Sequence, residues 1–197
     1  MSNSFIFRPH ILETGNVATP DLLVDDVYWA DGSVGGTNIR PLTVDRLIPN
    51  LTLQVTSPDT VADGAIVLMG GGAGMLVGLA SNHRPVDGDP QLFAKPLSRQ
   101  AWRYEHVADH WTDLTLSVTS GDGDVLQEGG AGDFANSAAI VTSLAGGAKE
   151  LASGVTVLCT GLPLPAQSAD RYHLILADPK LNRTLSMAYD VRILSAP

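Results

Sequence analysis

The apolar positions of this chain fall mostly into short runs that read as strands. Ala65-Ile66-Val67-Leu68-Met69 and Met75 to Leu79 flank a Gly70–Gly74 turn and predict a hairpin whose loop exceeds the two-residue ideal. Leu114 to Val118 and Val125 to Gln127 bracket Gly121-Asp122-Gly123-Asp124, a second hairpin. Val155 to Cys159 is a short apolar run of the kind found in buried strands. Ile39 to Thr56 is rich in Leu, Ile, Val and Thr, and Pro41 and Pro49 divide it. The C-terminal part gives Tyr172 to Ala177, a turn at Asp178-Pro179, and Thr184 to Leu194. Two segments have helical spacing. Ser98 is placed to cap a helix running to about His110 or Trp111. Phe134, Ala138, Val141 and Leu144 share one helical face, with Asp133 as cap and Gly146-Gly147 as stop. The expected fold class is α+β, mainly β.

The 197 residues correspond to one domain, residues 1–197, and 44% apolar composition is ample for a core. The longest apolar stretches fall far short of the ~20 residues of a membrane span, so no membrane partner is expected. Twelve basic against 21 acidic residues give a net charge of −9, and the basic residues are scattered. A nucleic-acid partner is therefore not expected either. The start of the chain has no basic and apolar leader pattern, so a cytoplasmic location is expected.

Several chemistries fail on their motifs. The Gly70–Gly74 stretch lacks dinucleotide-fingerprint spacing, and no Gly-Lys-Ser/Thr follows it. No Gly-x-Ser-x-Gly elbow is present. Cys159, the single cysteine, lies in an apolar run and reads as an inert buried thiol. His106 and His110 are four apart and would share a helical face, but no Glu stands between them as a zinc protease requires. The acidic Asp21, Asp25 and Asp26 and the Arg40–Arg46 pair read as solvated surface.

From Val77 onward the order of features is more specific. Gly78 to His83 is followed by Lys95-Pro96, then Asp109-His110-Trp111, then Asp124 to Gly129. Leu151 to Pro163 comes next, and Asp178 to Leu185 with Tyr189-Asp190-Val191-Arg192 closes the chain. This series resembles the fumarylacetoacetate hydrolase superfamily, and within it an uncharacterised bacterial branch known as a domain of unknown function. Gln127, Thr160 and Gly161 are its most specific elements, and residues 1–60 are the divergent part. The resemblance implies a mixed β-sandwich or roll with two short helices, a homodimer, and a small-molecule substrate. It implies chemistry on a 1,3-dicarbonyl or 2-oxo acid held as its enolate, usually on magnesium bound by a Glu-x-Glu pair and a later Asp.

The aligned positions here are Asp63, Ala65 and Asn82, so a carboxylate is shortened, one is missing and one is an amide. Magnesium prefers several hard, charged oxygens. The expectation is therefore an enzyme with no metal cofactor, acting on a small β-dicarbonyl or enolisable oxo acid as an isomerase, cyclase or C–C lyase. Natural-product biosynthesis is the setting named for that chemistry. In that reading His83 exchanges the proton and Lys95 supplies charge, while Asn82, Arg84, Gln127, Thr160 and Gly161 bind substrate. A different register, with Asp59 or Asp63 and Asp87 or Asp89 as ligands, keeps magnesium and a hydrolase or decarboxylase as the alternative. A non-catalytic small-acid-binding protein is the third reading.

Overall fold

In the computed structural model the described residues are 4–12, 21–32, 38–49, 51–87 and 93–194. The hairpin of Gly64–Met69 and Leu76–Ser81 is the centre of the larger sheet, and every residue of both strands is buried. Strands covered on both faces read as unbroken apolar runs, because no position is left facing water. Outward from one side of this hairpin come Gly154–Thr160, Leu22–Asp31 and Phe5–Phe7; from the other come Lys95–Arg103 and His10–Ile11. Asn38–Leu42 adds to Leu22–Asp31, and Leu47–Ile48 adds to Lys95–Arg103. Leu22–Asp31 and Gly154–Thr160 run parallel, which sets Asp31 opposite Thr160.

A second sheet orders Val125–Gly130, Thr115–Ser120, Arg171–Asp178, Arg183–Ile193 and Thr52–Val55. Its strands alternate between buried and more exposed positions, as expected of a sheet with one face on the core. Leu116, Val118, Leu174 and Leu185 meet Ile66, Leu68, Val77 and Leu79 in the main core. On the opposite face of the hairpin, Ala65, Val67 and Met69 pack with Phe7, Leu22, Val24 and Val27. The sheets approach closely at Gly64, where a Cβ would lie 2.7 Å from Val118 Cγ2 and 3.1 Å from Leu116 Cδ2. The result is an α+β fold that is mainly β.

The structure corrects both expected helices. The segment from Ser98 is not one helix: Lys95–Arg103 is a strand, followed by short 3₁₀ helices at Tyr104–His106 and Ala108–Asp113. Leu76–Ser81 offers it a ladder, with Trp102 opposite Val77 and a register shift between Leu97 and Ala101. Ser98 Oγ accepts from the Gln100 amide at 3.1 Å, a local bond that fits this irregularity and is not a helix cap.

The second helix is two: Ala131–Phe134 and Ser137–Leu144. Asn136 is extended between them and caps the second by accepting from Ala139 N at 3.0 Å. Asp133 instead accepts from Gly130 N at 3.2 Å. Ser137, Ile140 and Val141 form the buried stripe, and Ala138 is exposed. Gly146 and Gly147, at φ 60° and 95°, end the helix as expected.

Candidate active site

A cavity of about 330 Å³ opens where the end of Leu22–Asp31, the end of Gly154–Thr160 and the start of Gly64–Met69 meet. Its polar lining includes Asp31, Asp63, Arg84 and Thr160; Trp29 and the segment Leu162 to Leu164 supply apolar wall. Gly161 turns the chain into that wall at φ 152°, a conformation that L side chains rarely adopt.

Asp63 is only 3% exposed. Asn82 holds it twice: the Asn82 amide donates to Asp63 O at 2.7 Å, and Asn82 Nδ2 donates to Asp63 Oδ2 at 3.1 Å. Asp63 Oδ1 is buried without a hydrogen-bond partner. Burial pushes the carboxyl up to about 6; the Asn82 bond, the Arg84 charge and the Gln127 side chain oppose this, and the Asp31 charge adds to it. Arg84, half-buried in a short pairing of Arg84–Pro85 with Thr60–Val61, has a buried Nε without a partner. An acid that titrates near neutrality and a guanidinium thus line one cavity.

The residues singled out from sequence separate into three groups. Arg84, Thr160 and Gly161 line the cavity. Thr160 Oγ1 accepts from Trp29 Nε1 at 2.7 Å, which fixes the indole as a wall. Asn82 and Gln127 stand behind the lining. Gln127 Oε1 accepts from Gly64 N at 2.8 Å and Nε2 donates to Pro163 O at 2.9 Å, so both ends of its amide tie together the segments that carry Asp63 and the apolar wall.

His83 and Lys95 are fully buried and outside the cavity lining. The His83 ring meets Phe93, Tyr172 and Tyr189 edge-on, and Nδ1 lies 3.0 Å from Tyr189 Oη, itself 2.9 Å from Ser81 Oγ. Burial and then the Lys95 charge lower the imidazole to about 3, so it is neutral near pH 7. Lys95 Nζ donates to His83 O at 2.7 Å, pinning the segment that carries Asn82 and Arg84.

Sequence reasoning did not single out Asp31 or Trp29, and read Asp63 only as a position of the metal-ligand set. Only the parallel pairing with Gly154–Thr160 brings Trp29 and Asp31 here, and no local motif signals it. Elsewhere, Cys159 is buried and its thiol is pushed up to about 12 by burial, as an inert thiol should be. His106 is substantially exposed beside Glu105, whereas His110 is buried against Asp178, so they do not form a metal-binding pair.

The magnesium ligand set that the sequence resemblance implies does not fit these residues. Ala65 offers no ligand, and the Asn82 amide group is turned toward Asp63. Asp59 and Asp87 are exposed, and Asp89 lies outside the described residues. Among the described residues no three His, Cys, Asp or Glu side chains are grouped to hold an ion. Millimolar magnesium or manganese is therefore expected to leave the melting temperature unchanged. A bound ion at a hundredfold excess over its Kd would add ~2.7 kcal/mol, or several degrees. A rise reversed by chelator would show that the ligands do assemble.

Solved structures share this fold at low sequence identity. Fumarylpyruvate hydrolase from Pseudomonas aeruginosa, in complex with Mn2+ and pyruvate, matches with TM-score 0.65 and 15% identity over 96% of each chain. The 5-carboxymethyl-2-hydroxymuconate delta-isomerase from Mycobacterium smegmatis matches with TM-score 0.61 and 16% identity, over 89% of this chain and 81% of that one. The 2-hydroxyhepta-2,4-diene-1,7-dioate isomerase from Mycobacterium marinum matches with TM-score 0.57 and 15% identity, over 86% and 75%. No curated protein matches the sequence. No helix among the described residues is long and apolar enough to cross a membrane. Residues 38–189 match the family described as a protein of unknown function, DUF2848, and the chain belongs to that family, on a fold of the fumarylacetoacetate hydrolase type.

Proposed function

We propose that this protein is an enzyme that moves a proton on a small enolisable 2-oxo acid, and that its reaction is an isomerisation through an enolate. The observation that carries this reading is the pairing in one cavity of Asp63, a buried carboxyl at about 6 with a free oxygen, and Arg84, a cation with a free Nε–H. A general base works best when its pKa lies near the operating pH.

The ionised Asp63 takes a proton from the carbon next to the substrate carbonyl. The electron pair of that C–H bond becomes the enolate, and Asp63 becomes neutral. Arg84 offsets the enolate or carboxylate charge, and Asp63 returns the proton to the same carbon or to a conjugated one. Asn82 orients Asp63, and Gln127 holds the facing wall. In this reading His83 and Lys95 are positioning residues, because their burial away from the cavity leaves them no route to substrate. The solved relatives named as isomerases, and the pyruvate held by the Pseudomonas protein, support a proton-moving reaction on an oxo acid.

The test is exchange of the C3 protons of 2-oxobutyrate in deuterium oxide at pH 8, followed by proton NMR. The protein is expected to accelerate exchange, and Arg84→Gln to slow it by ~10²–10³. Exchange at the buffer rate with wild-type protein would overturn the proposal.

A further inference from the structure

The charges of this same cavity, on the reading just given, also select the substrate. All twelve Lys and Arg side chains of the chain lie within the described ranges, and of these only Arg84 lines the cavity. Two acidic groups, Asp31 and Asp63, face the same space, and the Asp31 charge is felt at Asp63. The rest of the wall is largely apolar. Trp29 and Leu162 are 8% and 7% exposed, and Pro163 and Leu164 continue the apolar surface. The volume, about 330 Å³, is at the small end of ligand pockets.

We infer that the site is selective for 2-oxo acids with one carboxylate and an apolar tail, and rejects dicarboxylates. The adjacent C1 carboxylate and C2 enolate oxygens of a 2-oxo acid can share the Arg84 guanidinium, whereas a carboxylate at the far end cannot reach it. That second carboxylate would leave water to sit within a wall whose other charges are acidic, with no cation to receive it. Rejection by an unpaired charge is an effective form of specificity, because the penalty falls on the wrong ligand alone. The right ligand instead lays its tail against Trp29 and the segment Leu162 to Leu164, where Thr160 holds the indole in place.

Two probes of similar size separate the cases: 2-oxohexanoate, with one carboxylate, and 2-oxoglutarate, with two. Titration calorimetry on the wild-type protein at pH 8 is expected to show 2-oxohexanoate binding about tenfold or more tighter. Arg84→Gln is expected to weaken 2-oxohexanoate about tenfold, and Asp31→Asn to narrow the gap by improving 2-oxoglutarate. Equal or tighter binding of 2-oxoglutarate to wild type, or a gap unchanged in Asp31→Asn, would overturn the selectivity and leave the proposed proton transfer standing. Binding of neither probe would overturn both.

Discussion

Asp63→Asn is expected to abolish proton exchange and, at the same time, to make the protein more stable at pH 8. The two effects have one cause. The folded protein holds the Asp63 carboxyl at about 6, above the ordinary value of 3.8, because ionisation leaves a charge in a buried site. A group raised in this way contributes stability fully below the ordinary value and loses it as pH rises through 6. The difference corresponds to ~3 kcal/mol lost by pH 8, at 1.36 kcal/mol per unit. Asparagine cannot ionise, and its side-chain oxygen can still accept from Asn82 Nδ2. The variant should therefore melt higher at pH 8, by roughly 2–4 °C per kcal/mol recovered. The gain should fade toward pH 4, where wild-type Asp63 is protonated as well. Exchange on 2-oxobutyrate should fall by ~10²–10⁴, the range for loss of a general base. Paired thermal melts at pH 8 and pH 4, with the NMR assay, check both limbs. A variant that melts lower than wild type at pH 8, or retains exchange, contradicts the role given to Asp63.

The same buried carboxyl shows what could and could not be read from the chain. The central hairpin was legible because Ala65 to Met69 and Leu76 to Leu79 are apolar without interruption, and only a strand covered on both faces needs that. Val155 to Cys159 was legible as a short, mostly apolar run that Thr156 alone interrupts. Lys95–Arg103 was not. Trp102, His106 and His110 recur every four residues behind a serine, which mimics a capped helix, whereas the deciding fact is the strand partner Leu76–Ser81. Tertiary pairing overrode local spacing there.

The resemblance named Arg84, Thr160 and Gly161, which line the cavity, but it gave no sign of which neighbour of Arg84 faces the same way. Along an extended segment successive side chains point to opposite sides. Asn82 and Arg84 thus serve the cavity, and His83, between them, turns into the aromatic core. Asp63 stood in the sequence as the remnant of a metal ligand. Its acidity depends on burial and on Asp31, which comes from a strand more than thirty residues away, so no local pattern could supply it.

The largest loss of stability is expected outside the cavity lining, in Asp178→Ala. Asp178 is the residue that docks the 3₁₀ segment Ala108–Asp113 onto the second sheet. Its side chain is fully buried and accepts three hydrogen bonds: from His110 Nε2 at 3.0 Å, from Arg183 Nε at 3.0 Å and from Leu181 N at 3.1 Å. The Arg183 guanidinium lies 4.5 Å above the ring of Trp102, itself fully buried. Burial alone would raise the Asp178 carboxyl, but the bonds from His110, Leu181 and Arg183 outweigh it and hold the group below the ordinary carboxylate value. Alanine removes the acceptor and leaves His110 and the largely buried Arg183 without it. Breaking a buried pair in this way costs about 3–5 kcal/mol, because the remaining charge is uncompensated. A lowered carboxylate contributes stability above its ordinary value of 3.8 and loses it as pH falls through the folded value. The gap between wild type and variant should accordingly be full at pH 7 and narrow below about pH 4. Urea unfolding at both pH values measures it, and a midpoint at pH 7 equal to that of wild type would remove Asp178 from the account of what holds this fold together.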